Sequence, residues 1–208
     1  MGGRSLVCRL IDQILSCNRK TRIIVVAGHQ SDLVRKELRK YPENVSVVNN
    51  DDYLITNNME SCRIAIEKMG EKNSCLIING DCIYSDKIVK EMYESKRSTI
   101  GTDSSRFTEE NMKILSSNGH VKGISKKFLE IDGAITSIDI YSFSADDIRT
   151  LAGIMEDFHS RGDLNQWTEV AIHDLLISEK SLVESIDFEG EKWMEIDDIA
   201  DLEKAREM

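Results

Sequence analysis

Three short apolar runs constrain this chain more than anything else in it. Ile23-Ile24-Val25-Val26-Ala27, Val45 to Val48 and Cys75-Leu76-Ile77-Ile78 are separated by helix-like stretches. The first and third stop at Gly28 and at Asn79-Gly80-Asp81. Apolar, β-branched runs of this length are the pattern of strands buried on both faces. Strand–helix–strand order predicts parallel pairing with right-handed crossovers. A sheet of that kind binds ligands just outside the carboxyl ends of its strands, and Asp81 falls at such an end. Gly80 beside it would permit close backbone approach. Taken alone, the same three residues also read as an ordinary turn.

The rest of the chain fits that frame. A first helix starts after Ser5 as N-cap and carries Leu6, Val7, Leu10, Ile11, Ile14 and Leu15 on one face. Ser31 caps a second helix with Leu33, Val34 and Leu38, closed by Tyr41 and Pro42. A third helix runs over about residues 59–69 and stops at Gly70. A fourth covers 85–96. Residues 98–102 suit a strand, and 108–117 could be strand or helix. Asn118-Gly119 is a hairpin signal joining residues 112–115 to 120–124. After a polar connection over 126–132, a strand is predicted at 135–143 and a helix at 144–158. Trp167 opens a further helix to 176. Strands over 181–188 and 193–197 precede a final helix from Ile199 to Glu207, capped by Asp197 or Asp198. No repeat or flexible linker interrupts the 208 residues, so a single domain over 1–208 is expected.

Composition narrows the function classes. A net charge of -10 argues against a general nucleic-acid or anionic-membrane binder, although one local cation can still reverse the sign at a single site. The five cysteines show no CxxC or zinc-like spacing and read as reduced residues of a cytoplasmic protein. The four histidines are scattered, and neither an 18-residue apolar run nor a secretory signal is present. The candidate chemistry therefore rests on carboxylates. Asp81 and Asp197 both end predicted strands. If those strands are neighbours, the two side chains could share one Mg²⁺ with the oxygens of a nucleoside triphosphate. The competing reading of Asp197-Asp198 is a helix cap.

Several segments together resemble a known family. Gly2-Gly3-Arg4-Ser5-Leu6 resembles a "GGKPL" entry to a first helix, and residues 23–28 resemble its second strand. Thr56-Asn57-Asn58-Met59-Glu60-Ser61 resembles a "TNN-x-x-S" turn, and Ile78-Asn79-Gly80-Asp81 an "EGD" strand end. Residues 121–126 resemble a "V-x-x-I-x-K" hairpin, and residues 193–205 a "W-x-EID-x-x-x-DL-x-x-A" ending. In this order they resemble the sugar-phosphate and alcohol-phosphate nucleotidyltransferases, with the phosphocholine and inositol-phosphate cytidylyltransferases nearest. The resemblance implies an α/β fold: a three-layer α-β-α sandwich on a mostly parallel mixed sheet, of the nucleotide-diphospho-sugar transferase type. It implies Asp81 and Asp197 as Mg²⁺ ligands and Lys126 as a charge facing the phosphates. Asn57, Asn58, Ser61, Gly80, Glu169 and Glu195 would line the substrate side. Of the two asparagines Asn58 reads as the helix cap, which makes Asn57 the stronger binding candidate. Glu169 beside an aromatic residue suits a quaternary ammonium, while Trp167 itself reads more simply as a core residue.

The implied reaction is attack of an acceptor phosphate oxygen on the α-phosphorus of an NTP, CTP favoured, with release of pyrophosphate. The acceptor would be a small alcohol phosphate or sugar phosphate, with no nucleic acid and no transmembrane segment involved, and the resemblance leaves room for a homodimer. Two departures from the pattern stand out. The family's first strand and its "LAAGxGxR" phosphate loop would lie upstream of Met1, so the sheet is expected to lack that strand and these 208 residues to be a poor catalyst. A "DGE…G" segment stands here as Asp132-Gly133-Ala134…Ser137. A non-catalytic nucleotide-binding protein on the same scaffold is the alternative. A glycosyltransferase would call for an Asp-x-Asp motif, and Asn79-Gly80-Asp81 lacks its first carboxylate.

Overall fold

A computed structural model describes residues 4–178 and 180–206. Gly2-Gly3 of the opening motif and Glu207 of the final helix therefore lie outside the described residues. Ten strands and seven α-helices follow one another among them: α1 Leu6–Cys17, β1 Ile23–Ala27, α2 Ser31–Leu38, β2 Val45–Asn49, α3 Asn58–Met69, β3 Cys75–Ile78, β4 Cys82–Tyr84, α4 Asp86–Glu94, β5 Thr99–Asp103, β6 Lys113–Ser117, β7 His120–Ser125, β8 Ile135–Phe143, α5 Ala145–Ser160, α6 Thr168–Ile177, β9 Glu184–Asp187, β10 Trp193–Glu195 and α7 Ile199–Ala205.

β8 is the spine of the fold. Along one edge it pairs with β5 over most of its length. Its other edge is shared by β6, at Ile135 and Thr136, and by β3, from Ile140 to Phe143. β7 closes a hairpin on β6, and β9 lies parallel to β5. β1 and β2 form a parallel pair of their own, and β4 and β10 an antiparallel one. The sheet is mixed, as expected of this α/β fold. Parallel pairing is confined to β1–β2 and β5–β9 among the described residues; β3 pairs with β8 antiparallel, and β3 is only half-buried. The apolar run had suggested a buried parallel strand. Its apolar faces are covered as that pattern implies, but one edge finds no hydrogen-bonded neighbour among the described residues, which leaves it partly open.

Helices cover both faces. Ile138 and Ile140 of β8 pack with α1 and α4 through Ile14, Ile88, Val89 and Met92. Tyr141 and Phe143 face the other way, into α3, α5 and α6 through Ile66, Leu151 and Ile172. This alternation gives the three layers. α1 and α2 also close over β1 and β2 through Cys8, Ile11 and Leu38. β1 and β3 share helical cover, since Leu10 and Ile14 of α1 pack in one cluster with Ile23, Leu76 and Ile78. No hydrogen-bonded strand joins β1 to β3 among the described residues.

Local signals account for most element ends. Asn118 and Gly119 both have positive φ, at 54° and 78°, the geometry that keeps a two-residue hairpin in register with strand twist. Ser85 and Ser144 cap α4 and α5 through their side chains, and Asp198 rather than Asp197 caps α7. The caps of α1 and α2 differ from expectation. Ser31 is the first residue of α2, and the cap is Gln30, in the left-handed region at φ 52°. Ser5 sits at the cap of α1 but makes no capping bond; its hydroxyl donates to Glu37 instead.

Candidate active site

Asp81 ends no long strand. It stands between β3 and the three-residue β4, which the apolar pattern had not announced, and this short strand fixes the site. Cys82 of β4 pairs with Glu195 of β10, and the Ile196 N–H donates to the Asp81 carbonyl at 3.0 Å. One backbone bond thus puts Asp81 beside a segment that carries Glu195 on one side and Asp197 on the other. Asp81 and Asp197, expected at the ends of neighbouring strands, lie instead just before β4 and just past β10, two antiparallel strands. Both carboxylates are exposed, and a Cβ placed on Gly80 would meet nothing within 4 Å. Glu195 is half-buried; burial, and then the charges of Asp197 and Asp81, push its carboxyl up.

Behind this mouth lies a buried acidic group of which the sequence had singled out Glu169 but not Asp139. The register of β8 against β5 slips between Ile100 and Thr102, so β8 bulges there. Asp139 sits in the bulge at φ 57°, a conformation costly for most residues but tolerated by Asp and Asn. Its carbonyl accepts from Asn79 at 3.3 Å and from the Tyr84 hydroxyl at 3.2 Å, tying the bulge to the end of β3 and to β4. Its side chain is buried, and Oδ1 lies 2.9 Å from the Tyr141 hydroxyl, which also lies 2.9 Å from Glu169 Oε1. One phenolic proton cannot serve two carboxylates, so a second proton must reside on the trio or a cation must offset it. Burial, with Glu169 next in effect, pushes the Asp139 carboxyl up to about 8, and burial likewise raises Glu169. In sequence, Asp139 alternates with Ile138 and Ile140 like any polar strand position, and only its occurrence on a strand buried on both faces could have marked it.

The cation of the site comes from the hairpin. Lys126, just past β7, is exposed, and its Nζ stands 4.7 Å from the centroid of the Trp167 ring. Trp167 is not a core residue: it is 44% exposed and forms the cap position of α6. The helix therefore begins one residue later than the sequence suggests. That start buries Thr168 and Glu169 in its first turn and leaves the indole at the surface.

The "TNN" turn lies near this group, with its two asparagines in exchanged parts. Asn57 is the cap of α3, accepting from the Asn58 N–H at 2.8 Å, and its amide reaches Asn165. Asn58 is helical, and its Oδ1 accepts from the Thr168 N–H at 2.8 Å, next to Glu169. The expectation that Asn58 caps the helix and Asn57 is free to bind is thus reversed, because the helix starts one residue earlier. Ser61 accepts from Asn50, whose amide also reaches Thr56, an internal bracing of the loop.

For a metal, the donors present are hard carboxylate oxygens. Two exposed carboxylates with open space at Gly80 suit Mg²⁺, which commonly binds one or two carboxylates together with phosphate oxygens and water. Among the described residues no group of three or more His, Cys, Asp or Glu is arranged to hold an ion by itself. An ion here would depend on ligand oxygens. A separate shallow concavity of about 490 Å³, lined by Arg35, Val47, Asn49 and Lys68, lies on β2 and contains no carboxylate.

The chain has the fold of the sugar- and alcohol-phosphate nucleotidyltransferases. The inositol-1-phosphate CTP transferase of T. maritima superimposes with a TM-score of 0.78 at 20% identity, over 100% of this chain and 82% of the other. The CTP:phosphocholine cytidylyltransferase of Streptococcus pneumoniae gives 0.78 at 18% identity, over 100% and 86%. A glucose-1-phosphate thymidylyltransferase from Bacillus anthracis, itself assigned only provisionally, gives 0.73 at 16% identity, over 97% and 81%. No protein-family model and no curated protein sequence matches the chain.

Proposed function

We propose that this chain is a nucleotidyltransferase, moving a cytidylyl group from CTP to a small alcohol phosphate or sugar phosphate and releasing pyrophosphate. The observation that carries the reading is the Ile196–Asp81 backbone bond, which gathers Asp81, Glu195 and Asp197 at one strand-pair end. Fold likeness to enzymes named for CTP transfer to inositol phosphate and phosphocholine supports it. Asp81 and Asp197 would hold Mg²⁺, which when bound offsets phosphate charge and orients the triphosphate. Lys126 offers a second positive charge to the phosphates. The side chains themselves form no covalent bond to substrate. They bind and orient, and the acceptor phosphate supplies the nucleophile. Asn57, Asn58, Ser61, Gly80, Glu169 and Glu195 would line the substrate side, Glu169 from its buried place behind the mouth.

The test is transfer from α-labelled CTP with Mg²⁺ and a panel of small phosphates at enzyme excess, read as product and pyrophosphate. Asp81→Ala and Asp197→Ala should each lower the rate by about 100-fold or more, in line with losing a charge-stabilising group. CTP binding that ignores both substitutions, with no pyrophosphate released, would favour the non-catalytic alternative. No binding of any nucleotide would end both readings.

A further inference from the structure

Lys113, the first residue of β6, is an unusual lysine. Its side chain is 1% exposed, yet it forms no salt bridge among the described residues. Its Nζ donates to two main-chain carbonyls, those of Glu109 and Lys126, both at 2.8 Å, and stands 5.3 Å from the centroid of the Phe107 ring. Burial lowers its pKa. A buried ammonium held only by carbonyls is costly, and a methionine of similar volume would avoid most of that cost. Its position offers a reason for keeping it. Lys113 lies opposite Ser125 in the β6–β7 ladder and opposite Thr136 in the β8 ladder. The ladder ends there, and the next residue after β7 is Lys126, whose backbone pairs with no further strand among the described residues.

We propose that Lys113 is a positioning residue for Lys126: its ammonium clamps the Lys126 and Glu109 carbonyls and so fixes the point from which Lys126 reaches Trp167 and the carboxylate mouth. What Lys126 then does rests on the nucleotidyl-transfer reading; how it is held does not. The clamp acts through geometry. Lys113 is enclosed under the hairpin, whereas Lys126 presents its charge to solvent. Without the clamp, two carbonyls lose their donor and the turn after β7 can swing, taking the Lys126 side chain off the indole.

Trp167 is a built-in reporter, since the Lys126 ammonium lies over its ring while Trp193 is buried elsewhere. The protein is labelled with 5-fluorotryptophan, and the two fluorine resonances are assigned by Trp167→Phe. Lys126→Met should shift the Trp167 line. Lys113→Met should shift it by the same amount, and the double variant should add nothing, while the Trp193 line stays in place as a record of an intact fold. An unmoved Trp167 line in folded Lys113→Met overturns the proposal, as does full additivity of the two shifts. If Lys113→Met does not fold, Lys113→Gln, which retains one donor group, carries the same comparison and should give a partial shift. A second arm measures Mg-CTP binding by calorimetry. Lys113→Met and Lys126→Met should each weaken it by the same factor, about tenfold, and together by no more. Wild type that binds no CTP would refute the nucleotidyl-transfer reading while the fluorine comparison still decides on Lys113.

Discussion

Asp139→Asn should change how stability depends on pH. In the folded protein the Asp139 carboxyl, raised by burial and by Glu169 to about 8, holds its proton at neutral pH. In the unfolded chain the same group releases it near its ordinary value of 3.8. Between these values the folded state binds the extra proton, so raising the pH favours unfolding, and stability falls across the window. Each pH unit inside it is worth about 1.4 kcal/mol. The full window of about four units therefore has an upper limit of roughly 5 kcal/mol, and pH 5 to 7 alone accounts for roughly 3 kcal/mol. Asparagine is neutral at every pH in this range, mimics the protonated acid, and tolerates the left-handed backbone at this position. The assay is urea unfolding at half-unit steps from pH 5 to 8.5 for both proteins. The wild-type curve should descend relative to that of Asp139→Asn by about 1.4 kcal/mol per pH unit and flatten above pH 8. Two parallel curves would refute the assignment of a buried, protonated Asp139.

Further outcomes follow from the same contacts. Tyr141→Phe removes the hydroxyl between Asp139 and Glu169 and should destabilise by about 1–3 kcal/mol in equilibrium unfolding, the usual cost of a buried polar partner lost; a near-neutral result would mean the trio is not closed as described. Asn57→Ala removes the cap of α3 and should cost about 1 kcal/mol by the same assay, whereas Asn57→Asp should hold stability near wild type. Amide hydrogen exchange should be fast on the outward edges of β1 and β3 and slow along β8, because no strand pairs with those edges among the described residues. Equal protection of all three strands would show that the edges are closed.

How much was legible depended on whether the signal was local. The run Ile23–Ala27 is a strand to the residue, and the Asn118-Gly119 turn is fixed by two positive-φ positions that few residues accept. Asp81 and Asp197 stood out as polar residues closing apolar runs, but what sets them side by side is the antiparallel β4–β10 pair and not the carboxyl ends of parallel strands. The misses have one cause: each depends on partners distant in sequence. β4 has three residues, too few for a periodicity, and exists because β10 pairs with it. Asn57 and Asn58 exchanged parts over a one-residue shift of a helix start, which is set by contacts with residues 164–168. Trp167 looked like core because tryptophan usually is; it is exposed because the first buried positions of α6 went to Thr168 and Glu169. Lys113 reads in sequence as an ordinary strand lysine, and no local rule announces that its ammonium is enclosed.

The buried trio and the exposed mouth also belong to one electrostatic problem. Asp81, Asp139, Glu169, Glu195 and Asp197 crowd a single region of a chain whose net charge is already -10. Were all five ionised, a triphosphate would meet like charge, offset by the nearby Lys126. Two features reduce that field. The proton held by Asp139 removes one charge at neutral pH, and Mg²⁺ at Asp81 and Asp197 would cancel two more. Under the nucleotidyl-transfer reading, triphosphate binding should therefore weaken as pH rises through about 8, where Asp139 releases its proton. Asp139→Asn, permanently neutral, should hold its affinity there. The bulge in β8, with its strained residue, then serves the site and not merely the sheet: it places a carboxyl where burial keeps it protonated, behind carboxylates that solvent keeps charged.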